Sequence, residues 1–133
     1  MTDYVADTHA LIWYLENSPR LGSKARVAFD ACDRGEAIIY IPTISLVEMV
    51  YLIEKGRIPE NMMTLLEGEL KAGTSGLMLA DLNIDVVDQV KKVIRDDVPD
   101  LPDRIIAATA LALKLPLITR DRKIQLSGLK TIW

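Results

Sequence analysis

The 133-residue sequence holds one cysteine, one histidine and one phenylalanine, and only 5% of it is aromatic. With Cys32 alone no intrachain disulfide can form, so a reducing cytoplasm is the expected compartment. Any Ser-His-Asp or Cys-His mechanism would have to pass through His9, and neither Cys32 nor a serine motif is placed to recommend one. Long apolar runs are also missing. Stretches such as Ile38 to Ile41 and Ile105 to Leu113 stop far short of the roughly 20 residues a membrane-spanning helix requires. The N-terminus carries Asp3 where a secretory signal would place positive charge, so no export signal is expected. Finally there is no excess of positive charge: the formal net charge is −3, and nothing in the overall field would draw a nucleic acid. Such a substrate would have to be held locally, by bound cations or by a short basic patch such as Arg120, Arg122 and Lys123.

What is present is enough apolar material for a well-filled interior, with 50% hydrophobic and 26% charged residues. The length suits a single domain spanning residues 1–133. Strands and helices alternate, which predicts an α/β fold with a mainly parallel sheet. Tyr4 to Asp7 reads as a first strand and Ala10 to Leu15 as a helix that breaks at Asn17, Ser18 and Pro19. Ser23 is placed to cap a second helix ending near Gly35. The isoleucine-rich run from Ala37 to Ile41 reads as a buried strand, and Thr43 or Ser45 can cap the helix after it. Asn61 to Ala72 reads as a helix, Leu77 to Ala80 as a strand and Ile84 to Arg95 as a helix. Pro99 and Pro102 favour extended backbone, and Asp103 stands at the expected N-cap of a nearly apolar, hence central, helix. Leu117 to Thr119 and Thr131 to Trp133 complete the strands.

In an open α/β sheet, ligands bind beyond the carboxyl ends of the strands, where the strand order reverses. Asp7 closes the first strand and Asp121 follows the fourth. Glu48 and Asp103 lie early in helices, whose starts share that edge because helices run antiparallel to the strands. Four carboxylates would then meet in one crevice, where each raises the others' pKa unless a counter-charge is supplied. Oxygen ligands without histidine or cysteine favour a hard ion, magnesium or manganese, and the chemistry implied is phosphodiester hydrolysis.

Four segments carry a resemblance: Asp7-Thr8-His9-Ala10-Leu11-Ile12-Trp13, Ser45-Leu46-Val47-Glu48, Asp103-Arg104-Ile105-Ile106-Ala107-Ala108-Thr109-Ala110 and Thr119-Arg120-Asp121. In this order, across almost the entire chain, they resemble the motifs of PIN domains, and most of all those of VapC-type toxins of toxin–antitoxin pairs. The resemblance implies a PIN-like three-layer fold with about five mainly parallel strands flanked by helices. It also implies a cytoplasmic Mg2+- or Mn2+-dependent endoribonuclease acting on RNA, a homodimer, and a small antitoxin partner. By position it makes Asp7, Glu48, Asp103 and Asp121 the catalytic and metal-site acids, with Thr119 and Thr8 as supporting polar residues. Direct ligation is expected from Asp7 and Asp103, and action partly through water from Glu48 and Asp121.

Simpler readings exist for each residue taken alone. Asp7 suits a strand end, Asp103 an N-cap and Asp121 a turn. Glu48 is less ordinary, because it interrupts an apolar stretch where an unpaired carboxylate is costly. Asp96, Asp97 and Asp100 read as loop acids, with Asp100 alone near enough to reach the site through water. His9 is expected to pack near the first strand. Arg120, Arg122 and Lys123 suit either a solvated turn or phosphate contact. Trp13, Met49, Tyr51, Met62 and Met63 are either core or a contact surface for antitoxin or dimer partner. A haloacid-dehalogenase phosphatase would need an aspartate where His9 stands, and no nucleotide-binding glycine motif is present. The remaining rivals are a PIN-like module that binds RNA or protein without cutting, and a housekeeping nuclease without an antitoxin.

Overall fold

The computed structural model describes residues 2–133. Five strands, β1 (Tyr4–Ala6), β2 (Ile39–Pro42), β3 (Leu77–Ala80), β4 (Leu117–Ile118) and β5 (Thr131–Ile132), form one sheet in the order β3-β2-β1-β4-β5. Every pairing is parallel, with Val5 opposite both Tyr40 and Leu117. The chain steps from β1 outward through β2 to β3, then returns to lay β4 on the other flank of β1. The strand order therefore reverses between β1 and β4, which is the switch point where such sheets open a crevice.

Seven helices cover the sheet: α1 (Thr8–Leu15), α2 (Ser23–Asp33), α3 (Thr43–Glu54), α4 (Asn61–Ala72), α5 (Ile84–Val90), α6 (Leu101–Leu113) and α7 (Arg122–Gln125). The period-2 alternation of a strand divides the core between its two faces. Ala6, Ile39, Ile41 and Ile118 pack with Leu11 of α1, Phe29 of α2, Met49 of α3 and Leu66 of α4. Val5 and Leu117 pack on the other face with Val86 of α5, Ile106 to Ala108 of α6 and Ile124 of α7. Both faces of the sheet are thus covered, as a parallel sheet requires. Among the described residues no helix is long and apolar enough to cross a membrane.

The sequence placed α4 and β3 at their observed bounds, whereas several helix ends differ. α6 begins at Leu101, capped by Asp100, whose Oδ2 accepts from the Asp103 amide at 3.2 Å. Asp103 is therefore a first-turn residue and not the cap, and Pro102 sits in that same turn, where its missing N–H costs nothing. α2 is capped by Gly22 and not by Ser23, and α3 starts at Thr43 without a side-chain cap from Thr43 or Ser45. Gly22 is required by contact: a Cβ there would lie 2.6 Å from Trp133. α5 ends at Val90, well before Arg95, because Arg104 competes for the carbonyls beyond. Its Nη2 donates to Val90 O at 3.0 Å and its Nε to Val93 O at 3.1 Å.

Candidate functional site

β1 ends at Ala6, and Asp7 turns the chain directly into α1. Its amide donates to Ile118 O at 3.0 Å, which ties the turn to the end of β4. Its carboxylate is the N-cap of α1: Oδ1 accepts from the Ala10 amide at 2.8 Å. Oδ2 accepts from the hydroxyl of Thr119, a residue with no exposed surface. The same Thr119 oxygen accepts from the Asp121 amide at 3.0 Å, and Asp121 in turn caps α7 through Ile124. One hydroxyl therefore sets the relative positions of two acids that lie on neighbouring strand ends. Asp7 is 8% exposed, and burial is the main cause that raises its pKa, partly offset by the Thr119 and Ala10 hydrogen bonds.

Glu48 enters from α3 and is fixed differently. Thr8 Oγ1 lies 2.6 Å from Glu48 Oε1 and 2.9 Å from Ser45 Oγ. A hydroxyl has one proton and a carboxylate only accepts, so Thr8 donates to Glu48 and accepts from Ser45. Ser45, one turn before Glu48 and fully buried, thereby orients Thr8. Asp103 points in from the first turn of α6. Its pKa is raised to about 7, first by burial and then by the charges of Asp100, Asp121, Glu48 and Asp7. Asp103 therefore senses the other three acids, although the four come from four segments of the chain.

Asp7, Thr8, Glu48, Asp103 and Asp121 line one cavity of about 380 Å³, together with His9, Trp13 and Arg120. Asp103 and Asp121 also wall an adjoining cleft of about 310 Å³, shared with Asp100, Arg122 and Lys123. Across the described residues the only ion pair is Arg34 with Glu36, neither of which lines either cleft, so Arg120 shares the cavity with four carboxylates without bonding to any. The family model described as PIN domain matches residues 4–127. The chain belongs to the PIN domain family. PIN domains are generally nucleases, and this chain carries a nuclease fold of that family.

Solved structures bear out the PIN fold along the whole chain. A VapBC complex from Salmonella typhimurium bound to DNA contains a chain 20% identical with a TM-score of 0.71, covering 99% of this chain and 98% of that one. VapBC2 from Rickettsia felis, bound to a fragment of its promoter DNA, matches at 17% identity and TM-score 0.71, with 98% of each chain covered. A toxin–antitoxin complex from Klebsiella pneumoniae matches at 23% identity and TM-score 0.63, covering 98% of this chain and 96% of that one. No curated protein matches the sequence.

The donor set fits a hard divalent ion by its chemistry: carboxylate and hydroxyl oxygens only, mutually repelling, in a cavity open to water. Among the described residues no three acidic, histidine or cysteine side chains are gathered tightly enough to enclose an ion as they stand.

Some sequence expectations are corrected here. His9 does not pack near β1; it is exposed at the cavity mouth, with its ring centre 5.7 Å from that of Trp13. Asp100 is the cap of α6, while Asp96 and Asp97 are exposed loop acids. Met49 and Met62 are core residues, and Trp13 and Met63 pack against that same core, which leaves only Tyr51 of the expected contact surface exposed. Arg120 belongs to the acidic cavity, whereas Arg122 and Lys123 belong to the cleft beside it. Sequence reasoning did not single out Ser45, Trp13 or His9 as lining or supporting the site. Their spacing held a signal for two of them, since His9 and Trp13 are four residues apart on one helical face.

Proposed function

We propose that this PIN-domain chain is a metal-dependent endoribonuclease, the toxin of a type II toxin–antitoxin pair, that hydrolyses phosphodiester bonds of single-stranded or structured RNA. The observation that carries the reading is the convergence of Asp7, Glu48, Asp103 and Asp121 on one cavity with no bonded counter-charge. Magnesium or manganese, when bound there, supplies the charge that offsets carboxylates and phosphate and activates a water for attack on phosphorus. Asp7 is the fixed ligand, held through both oxygens by Ala10 and Thr119. Asp103, like Asp7, has a raised pKa, so both ligands hold their protons more tightly than ordinary carboxyls until an ion is bound. Glu48, oriented by Thr8, and Asp121, placed by Thr119, complete the set and act partly through water. Arg120, Arg122 and Lys123 hold the RNA backbone on either side of the acids.

The likeness to chains of VapBC and toxin–antitoxin complexes supports a small antitoxin partner. A homodimer working in the cytoplasm, with residues 1–133 as a single domain, completes the reading. Purified protein freed of any partner is expected to cut single-stranded RNA once Mg2+ or Mn2+ is added, and Asp7→Asn or Asp103→Asn to abolish the cut. Cleavage that survives in both variants and in excess chelator would overturn the assignment.

A further inference from the structure

The wall of the cavity that faces the acids is not acidic. It is made by Trp13, with the Arg120 guanidinium 5.5 Å from its ring centre and His9 tilted against it at 5.7 Å. Behind this wall Trp133 meets Trp13 edge-on at 5.7 Å, and Trp133 itself is seated where Gly22 has no side chain. Trp13 is therefore a half-buried ring held rigidly from one side and open to the cavity on another. An apolar ring covered only by the Arg120 side chain, in a cavity lined mostly by polar and charged groups, is wasted on an ion, yet it suits a flat aromatic ligand. Arg120 is exposed on a flexible stem, pairs with no carboxylate, and covers the ring only loosely. It can swing aside to admit a base and then stack upon it or take its phosphate.

We propose that Trp13 is a stacking platform for one unpaired base next to the phosphate held at the acids, with Arg120 closing over it. The assignment rests on the nuclease reading for the position of that phosphate. It also deepens that reading, because a base inside a duplex cannot leave its neighbours to lie on Trp13 without being unpaired. The chain therefore selects single-stranded RNA at this one nucleotide. Sequence preference at the same nucleotide is weak, since every base has a face to stack and the platform offers few hydrogen bonds to its edges.

The test reads binding of a short single-stranded oligoribonucleotide by fluorescence anisotropy in the full-length Asp103→Asn variant, where the RNA stays uncut. Bases are removed one at a time along the strand to leave abasic sites. One position is expected to lose about tenfold in affinity, as the removal of one stacked base should cost. In a Trp13→Leu variant of the same protein that loss should shrink below about twofold, while Trp13→Phe should keep most of it. Arg120→Gln, which removes both the cover of the ring and a phosphate contact, should weaken RNA binding as a whole by a few fold and also reduce the loss seen at that one position.

A flat abasic scan, an undiminished loss in Trp13→Leu, or no RNA binding at all would overturn the platform. The scan needs no change at Trp13, so it decides the matter even if Trp13→Leu fails to fold. The nuclease reading fails separately, when the unmodified protein does not cut in Mg2+ or Mn2+ although the one-base signature is found.

Discussion

Two walls of the acidic cavity answer the same problem in opposite ways. Along β1 and β4, Asp7 is the more deeply buried acid, yet Ala10 and Thr119 donate to its two oxygens and the backbone of the turn is tied to Ile118. At the start of α6, Asp103 is only half-buried, but every influence on its proton pushes the same way and includes all three other site acids. The first wall is a fixed frame in which hydrogen bonds offset part of the burial that still raises the pKa of Asp7. The second has no such donors, so at Asp103 burial and the neighbouring charges add without offset. The pair shows that burial raises both acids, while local donors and neighbouring charges decide what is set against it.

The sharpest way to break this contrast is Thr119→Val, which keeps the shape and removes the hydroxyl. Asp7 would lose a donor and the Asp121 amide an acceptor, both in buried surroundings. A loss of about 2 kcal/mol is expected, measured by chemical denaturation, together with a marked fall in cleavage. A variant as stable as the parent would mean that the frame owes little to Thr119.

Asp103→Asn should act in the other direction. Removing one charge from the repelling set is expected to stabilise the metal-free protein, by on the order of 1 kcal/mol once solvent screening is allowed for. The same change abolishes cutting, so stability and activity would part company on the α6 wall alone.

The smallest effect is a slope with pH. A carboxyl whose pKa is higher in the folded chain than in the unfolded one binds its proton more tightly when folded. Its stabilisation is full below the ordinary value of 3.8 and is lost as pH rises through about 7. Metal-free protein should therefore melt at a higher temperature at pH 6 than at pH 8, by a few degrees at most, and affinity for Mg2+ should follow the reverse order. In Asp103→Asn that slope should become shallower, with the remainder owed to Asp7, whose pKa burial also raises; an unchanged slope would show that Asp103 does not titrate there.

The sequence made the frame of this molecule readable where a pattern is local. Asn61 to Ala72 and Leu77 to Ala80 were bounded by breakers and periodicity, and Asp7, Glu48, Asp103 and Asp121 could be put on one edge by topology alone. Contacts between distant segments were not readable. Gly22 caps α2 because Trp133 fills the space a side chain would need, and α5 stops early because Arg104 reaches back to its carbonyls. Likewise Ser45 and Thr8 look unremarkable apart, and only their 37-residue separation closed in space shows that they hold Glu48. Asp103 was misplaced as a cap by two nearby prolines, one of which the first turn of a helix accepts.

The Thr119 to Asp7 bond joins residues 112 positions apart, near opposite ends of the described chain. Asp7 gains this partner only when segments from the two sides of the sheet are brought together. A nascent or truncated polypeptide can therefore hold most of its helices and three of its strands while possessing no organised cleft. Whatever the cleft does, it does only once the segment that carries β4 and Thr119 has been made and folded.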